Sequence, residues 1–191
     1  MGKTGRRGRR PLQRKRQVQH RNVGNAMNDL PKRKRLRLEQ YDYSSPGAYF
    51  VTFCTKDRQC ILSDITVGAD ALGGPHVTLT DKGRIVEKYI LSTDNIPGMH
   101  VDKYVIMPNH VHLLLSVDPG NGPPGASAPT MAIVPDAISA LKRLVNRVLG
   151  ENIWQRSYHD HVIRNDNDYR ESWNYIDTNP AKWHEDCFFA E

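Results

Sequence analysis

Two histidines separated by one residue, His110 and His112, are the side chains of this sequence best suited to bind a metal ion. They open the apolar segment His110–Val117, whose composition predicts a β-strand. Alternate side chains of a strand point to the same face, so both imidazoles would lie on one face and Val111 on the other. Two imidazoles at this spacing can share one divalent ion, but the pattern taken alone is a weak signal and is more typical of two ordinary surface histidines.

A tyrosine close to the C-terminus, Tyr175, is a candidate nucleophile. Residues 168–178 carry apolar side chains at helical spacing: Tyr169, Trp173 and Ile176. This spacing predicts a helix, which Pro180 would end. Tyr175 and Asn179 are four residues apart and share a different face of that helix. Tyr175 is therefore not required as a core residue, although a partly buried tyrosine with its hydroxyl at the surface fits the spacing too.

Four short segments follow one another in an order and at a spacing typical of one family. They are YFVTF at 49–53, MPNHVHLLL at 107–115, IWQRSYHDHVIR at 153–164 and YIDTNP at 175–180. This set resembles the HUH single-tyrosine transposases of insertion sequences, especially their REP-associated branch. The four segments extend over most of residues 40–183, and together they are far more specific than the His-x-His pattern alone.

The resemblance implies a role for each matching residue. His110 and His112 correspond to the metal pair, Tyr175 to the nucleophile, and Asn179 to a third metal ligand on the same helix. Tyr158 is the competing nucleophile because it also precedes a basic strand, and we favour Tyr175. The implied cofactor is Mg²⁺ or Mn²⁺. Because imidazole suits manganese better than the hard magnesium ion, we expect stronger cutting with manganese.

The activity implied by the resemblance is that of a metal-dependent transposase, an enzyme that nicks and joins single-stranded DNA near hairpin or palindromic elements. The expected intermediate is a covalent 5′-phosphotyrosine. A phenol with a pKa near ~10 is a poor nucleophile at neutral pH, so a metal or a base must help it lose its proton. The alternatives are a non-catalytic nucleic-acid-binding regulator derived from the same family and a hydrolytic metalloenzyme. The absence of an HExxH motif disfavours the latter.

Four further side chains are candidates for contacting DNA, because they flank the predicted site: Arg58, Arg156, His161 and Arg164. Each arginine is equally compatible with an ordinary surface charge. By resemblance, the partner is single-stranded or hairpin DNA. Some members of the family act as monomers and others as homodimers, and both states are open for this chain.

The positive charge of the chain is concentrated at its N-terminus. Residues 1–37 hold 14 lysines and arginines against one acid, Asp29, whereas the net charge of the whole chain is +6. Without apolar periodicity this segment cannot bury a core, so we predict a disordered basic tail at 1–37 and the transposase domain at 38–191. The tail would either bind phosphates through counterion release or have no role.

Composition also limits where the protein can act. The sequence contains no long apolar run and no N-terminal apolar segment, so we expect a cytoplasmic protein without a membrane partner. Its three cysteines include no CxxC pair, which argues against a disulfide framework and against a cysteine zinc site.

The remaining patterns predict the elements that position these residues. Strands are expected at 48–55, 101–107, 110–117 and 159–164, and helices at 81–91, 135–149 and 168–178. Residues 63–76 should form an exposed loop, with a short strand at 76–79 left open, and residues 118–129 a mobile loop. This order indicates an α+β domain with an antiparallel sheet. The resemblance implies the HUH nuclease fold, in which helices pack on one face of a ferredoxin-like sheet.

Overall fold

The computed structural model describes residues 46–66, 74–118 and 133–189. The strands are β1 (Gly47–Cys54), β2 (Ser63–Thr66), β3 (His76–Leu79), β4 (Met99–Ile106), β5 (His110–Val117) and β6 (His159–Val162). The helices are α1 (Asp81–Leu91), α2 (Ile133–Leu149) and α3 (Asp166–Thr178). Short 3₁₀ helices occupy Lys56–Arg58, Ser92–Asn95 and Pro180–Glu185.

Four of the strands form one antiparallel sheet in the order β4-β5-β1-β6, and β2 pairs with β3 separately. In the central strand β5, Val111 and Leu113 belong to the core cluster that α1 and α2 cover. The alternate residues His110 and His112 point to the opposite face, where α3 contacts β4 and β5. Because both faces are covered, the two histidines are buried.

Helix α3 is attached to β4 through one lysine. The ammonium of Lys103 lies 2.6 Å from a carboxylate oxygen of Asp177 and 4.0 Å from the centre of the Trp173 ring. Asn165 caps the start of the helix by accepting a hydrogen bond from the backbone N–H of Asp168. These contacts set the position of α3 on the sheet, and with it the position of Tyr175.

Most of the predicted elements are confirmed, including the α+β class and the antiparallel sheet. Helix α1 and strands β3 and β5 have the predicted bounds, and the other predicted helices and strands differ by one or two residues at their ends. The prediction of an exposed loop is wrong for residues 63–66, which form β2. The buried hydroxyl of Ser63 donates to the carbonyl of Ile106, a long-range contact that a short polar segment does not reveal.

The predicted basic tail at 1–37 and nearly all of the predicted mobile loop at 118–129 lie outside the described residues. The division into a tail and a domain at residue 38 therefore stays a prediction. In the part of the chain that the structure describes, no helix is both long and apolar enough to span a membrane.

Candidate active site

The two histidines of β5 form the centre of the site. The Nε2 atoms of His110 and His112 are 3.0 Å apart, and the rings meet at 73° with their centres 4.6 Å apart. The exposed fraction of the two residues is 0% and 1%. The interpretation of these residues as ordinary surface histidines is therefore wrong. Because metal–imidazole bonds are about 2.0–2.1 Å long, one ion can bridge two nitrogens at this separation.

An acidic residue that the sequence analysis missed, Asp186, completes a set of three possible metal ligands. Its carboxylate lies 3.9 Å from Nε2 of His110, and the donor atoms of His110, His112 and Asp186 are all within 4.8 Å of one another. Two imidazoles and a carboxylate suit several divalent transition metals, manganese and zinc among them. No local pattern marks Asp186 in the sequence. The 3₁₀ helix Pro180–Glu185 brings it back to the sheet.

Tyr175 lies beside this group of ligands. Its ring is 5.0 Å from the ring of His112 and meets it edge to face. Its hydroxyl lies near the side chains of Asp186 and Asn179, both of which influence its pKa. The residue is 41% exposed, which suits a nucleophile that must reach a substrate from outside. Burial, followed by the charge of Asp186, raises the pKa of Tyr175 to about 12, so these groups hold the phenol in its protonated form.

Asn179, the last residue of the predicted site, is buried at the end of α3. Its Nδ2 donates to Oδ2 of Asp186 at 2.8 Å. Its Oδ1 is buried and, within the described residues, has no hydrogen-bond partner. An unpaired buried amide oxygen is energetically unfavourable, and a nearby cation would offset that cost. The structure thus places Asn179 among the candidate ligands without testing the metal role predicted for it.

The protein environment keeps both imidazoles neutral, the form that binds metals. Burial lowers the pKa of His110 from 6.5 to about 4, although the charge of Asp186 opposes this shift. Burial, followed by the nearby His110, lowers the pKa of His112 well below 6.5. A low pKa means that neither ring has to release a proton to the solvent at pH 7 before it can accept a cation.

The segment that follows Asp186 covers the histidine pair. The ring of Phe188 is centred 4.8 Å from that of His110. The guanidinium of Arg58 lies over the Phe188 ring, 5.4 Å from its centre. Arg58 also donates to the carbonyl of Cys187 at 2.9 Å. The structure therefore brings Arg58 to the site through the C-terminal segment, while its predicted contact with DNA stays a prediction.

The other three predicted DNA contacts, Arg156, His161 and Arg164, lie at or near β6 and are exposed. His161 is bound to the carboxylate of Asp168 at 2.8 Å, and the backbone N–H of Arg164 donates to the same carboxylate at 3.0 Å. His161 is paired with Phe50 across β1 and β6, and Phe50 stacks on His112, so His161 lies on the sheet face that carries the ligand group. The role of all three residues in DNA binding is untested.

The competing nucleophile, Tyr158, occupies a different environment. It is only 9% exposed and belongs to the core cluster. The ammonium of Lys142 lies 6.0 Å from the centre of its ring. A tyrosine in the core is poorly placed to attack a DNA phosphate, so the geometry favours Tyr175.

Comparison with known proteins gives a consistent pattern. No family model matches the chain. An uncharacterised protein of Haemophilus influenzae is 28% identical over 179 residues, covering 83% of this chain and 94% of the relative. A REP-associated tyrosine transposase of Escherichia coli is 26% identical over 109 residues, covering 54% of this chain and 58% of the transposase. This second match thus spans little more than half of the transposase.

The fold comparison points in the same direction. The structure of a REP-associated tyrosine transposase bound to a REP hairpin superposes with a TM-score of 0.52 at 22% identity, covering 76% of this chain and 73% of the other. At this level of identity the superposition shows a shared fold. The sequence match to the Escherichia coli protein agrees with this shared fold, and the chain is thus distantly similar to the REP-associated tyrosine transposases.

Proposed function

We propose that the protein is a metal-dependent transposase that cuts and rejoins single-stranded DNA near hairpins, with Tyr175 as the nucleophile. One observation carries the proposal. The ring of Tyr175 lies 5.0 Å from that of His112, and its hydroxyl lies beside the carboxylate of Asp186, which is grouped with the nitrogens of His110 and His112. The candidate nucleophile is therefore adjacent to the candidate metal site, where a bound metal can help it lose its proton.

The metal would be held by His110 and His112, with oxygen ligands from Asp186 and Asn179. The nitrogen pair and the unpaired Oδ1 of Asn179 fit a divalent ion, Mn²⁺ or Mg²⁺. When bound, the ion neutralises charge on a phosphate and polarises its phosphorus. With two imidazoles among its ligands, the site favours manganese over magnesium.

The residues of the chain move the proton and orient the attack. As the oxygen of Tyr175 bonds to phosphorus, its proton passes to the carboxylate of Asp186, which lies beside the hydroxyl. The bond from phosphorus to the 3′-oxygen breaks, and that oxygen leaves as a 3′-hydroxyl by taking a proton from water. The products are a 5′-phosphotyrosine and a free 3′-end. Attack by a 3′-hydroxyl reverses these steps and joins DNA without ATP.

The substrate must approach past the C-terminal segment. Both imidazoles are at most 1% exposed, and Phe188 packs against His110. A phosphodiester would therefore bind a metal held by these nitrogens only after the side chains that cover them, Phe188 among them, move aside. Tyr175 already extends to the surface, so DNA can meet the nucleophile before it meets the ligands.

Hairpin DNA is the proposed substrate, since a protein of the same fold has been solved with a REP hairpin. Arg156, His161 and Arg164 would contact phosphates along β6, and Arg58 beside the ligand group. The basic residues 1–37 would add contacts that depend on salt. One chain supplies Tyr175 and the whole ligand set, which supports cleavage by a monomer.

The decisive experiment looks for a covalent adduct. Purified protein is incubated with Mn²⁺ and a labelled hairpin carrying a single-stranded flank, taken from palindromic repeats beside the gene, and the products are separated under denaturing conditions. The wild type should form a denaturation-resistant adduct that chelation of the metal prevents. Tyr175→Phe should abolish it, whereas Tyr158→Phe should retain it wherever that variant remains folded.

The same experiment separates the alternative functions. An adduct that survives Tyr175→Phe would refute the assignment of the nucleophile. Tight binding of the hairpin by the wild type without any adduct would favour the non-catalytic regulator.

A further inference from the structure

We infer that Thr52 and Asn109 are positioning residues: Asn109 fixes the tautomer of His110, and the two residues together orient the imidazoles so that both Nε2 atoms face one metal site. The inference rests on the proposed metal site and deepens it. Thr52 belongs to the segment YFVTF and Asn109 to the segment MPNHVHLLL, two of the four segments that carry the family resemblance. The resemblance assigned no role to either side chain. Both are buried, with exposed fractions of 5% and 0%.

The hydrogen bonds of Asn109 determine how its amide is oriented. Nδ2 donates to the carbonyl of Phe188 at 2.8 Å and to that of Arg58 at 3.2 Å, so both of its hydrogens are used. The atom 2.8 Å from Nδ1 of His110 is therefore the amide oxygen, Oδ1. An amide oxygen only accepts hydrogen bonds. His110 must carry its hydrogen on Nδ1, which leaves the lone pair of Nε2 available for a cation.

Asn109 is itself held rigidly by the turn that precedes β5. Its backbone carbonyl accepts hydrogen bonds from the N–H of Thr55 at 2.8 Å and from the hydroxyl of the same residue at 3.0 Å. A side chain on such a turn loses little entropy when it orients a neighbouring ring. The His110 ring is thus fixed from one side by Asn109 and contacted on the other by Phe188.

Thr52 has the same relationship to the second ring. Strands β1 and β5 pair Thr52 directly with His112, and the Thr52 hydroxyl oxygen lies 2.7 Å from Nδ1 of His112. A hydroxyl both accepts and donates, so it can accept the Nδ1 hydrogen whenever Nε2 serves as a ligand. Phe50 stacks on the same imidazole at 5.3 Å and 21°, which holds the plane of the ring.

The two contacts together have a chemical consequence. Metal-binding histidines bind more tightly when their second nitrogen donates to an oxygen, because that bond selects the tautomer and increases the basicity of the ligand nitrogen. Here each imidazole has its own oxygen partner, one hydroxyl and one amide. Loss of either partner should weaken metal binding even though neither side chain touches the metal.

The test measures Mn²⁺ binding to the full chain by titration calorimetry. Thr52→Val removes the hydroxyl and keeps the branched shape, and we expect affinity to fall by about 10–100-fold. Thr52→Ser retains the hydroxyl and should restore binding. Thr93→Val is the matched control, since Thr93 is similarly buried and bonds only a helix carbonyl, and its affinity should equal that of the wild type.

A second measurement needs no variant. Long-range proton–nitrogen NMR spectra of the wild type, labelled with ¹⁵N in histidine and free of metal, report the tautomer of each ring, and His110 should carry its hydrogen on Nδ1. A hydrogen on Nε2 of His110 would overturn the inference. Equal Mn²⁺ affinity of wild type and Thr52→Val would overturn it while leaving the proposed function intact. Absence of Mn²⁺ binding by the wild type would overturn both.

Discussion

The hydroxyl of Tyr175 lies beside the carboxylate of Asp186, although one residue belongs to α3 and the other follows the 3₁₀ helix Pro180–Glu185. The same carboxylate lies 3.9 Å from Nε2 of His110. Asp186 thus links the candidate nucleophile to the candidate ligands. A change at Asp186 should affect both the metal and the reactivity of the tyrosine.

The relative importance of Asp186 and Asn179 for the metal can be measured directly. Asp186→Asn removes the only charged ligand and should weaken Mn²⁺ binding by about 100-fold, whereas Asn179→Ala should weaken it by about 10-fold. Calorimetric titration of each variant with Mn²⁺ gives both values. If Asn179→Ala has the larger effect, Asn179 is the principal oxygen ligand and Asp186 acts mainly on Tyr175.

Acid should destabilise the metal-free protein in a defined range of pH. The folded state holds the pKa of His110 at about 4, while the unfolded chain takes up that proton near pH 6.5. Unfolding therefore binds protons between these values, and the free energy of unfolding should decrease as pH falls, by up to about 1.4 kcal/mol per pH unit for each histidine. His112, whose pKa is also lowered, adds to the effect.

Urea unfolding at several pH values between 7 and 4, with a chelator present, measures this dependence. The double variant His110→Asn/His112→Asn should show a shallower decrease over the same range. An equal slope in wild type and double variant would show that the histidines are not responsible.

The contact between α3 and β4 should control catalysis without affecting the metal. Lys103→Met keeps the aliphatic stem but removes the charge that binds Asp177 and Trp173. A less firmly held helix misplaces Tyr175, so adduct formation should slow by about tenfold, because small displacements of a nucleophile are costly. Mn²⁺ affinity should stay at the wild-type value.

Lys82→Met is the control for that variant, because Lys82 forms a more exposed ion pair with Glu151 at 2.6 Å, away from α3. It should change neither the adduct rate nor the affinity. A parallel loss of Mn²⁺ affinity in Lys103→Met would mean that β4 supports the ligands as well as the helix.

Gly83 in α1 should not tolerate alanine. A β-carbon at this position would lie 1.9 Å from the carbonyl oxygen of Leu62, so the backbone has to shift. The cost of about 1–3 kcal/mol should exceed the helix-propensity gain of about 1 kcal/mol. Thermal and urea unfolding measure the net loss. Ser139→Ala on the exposed side of α2 should change stability by no more than about 0.5 kcal/mol.

The sequence alone determined which side chains share a face of a single strand or helix, because that depends only on their spacing along the element. The alternation of β5 placed His110 and His112 on one face, and the period of α3 separated Tyr175 from the apolar stripe that contains Ile176. Both follow from the fixed repeat of strands and helices, which any window of sequence reveals. The family resemblance then joined the two elements into one expected site.

Only the tertiary structure decided which other residues meet there. Asp186 reaches the ligand group through a short 3₁₀ helix, and Tyr158 lies in the core, although neither position has a marked local pattern. Arg58 contacts the C-terminal segment instead of standing alone on the surface. Burial and long-range contact depend on how separate elements pack, and spacing within one element carries no record of that packing.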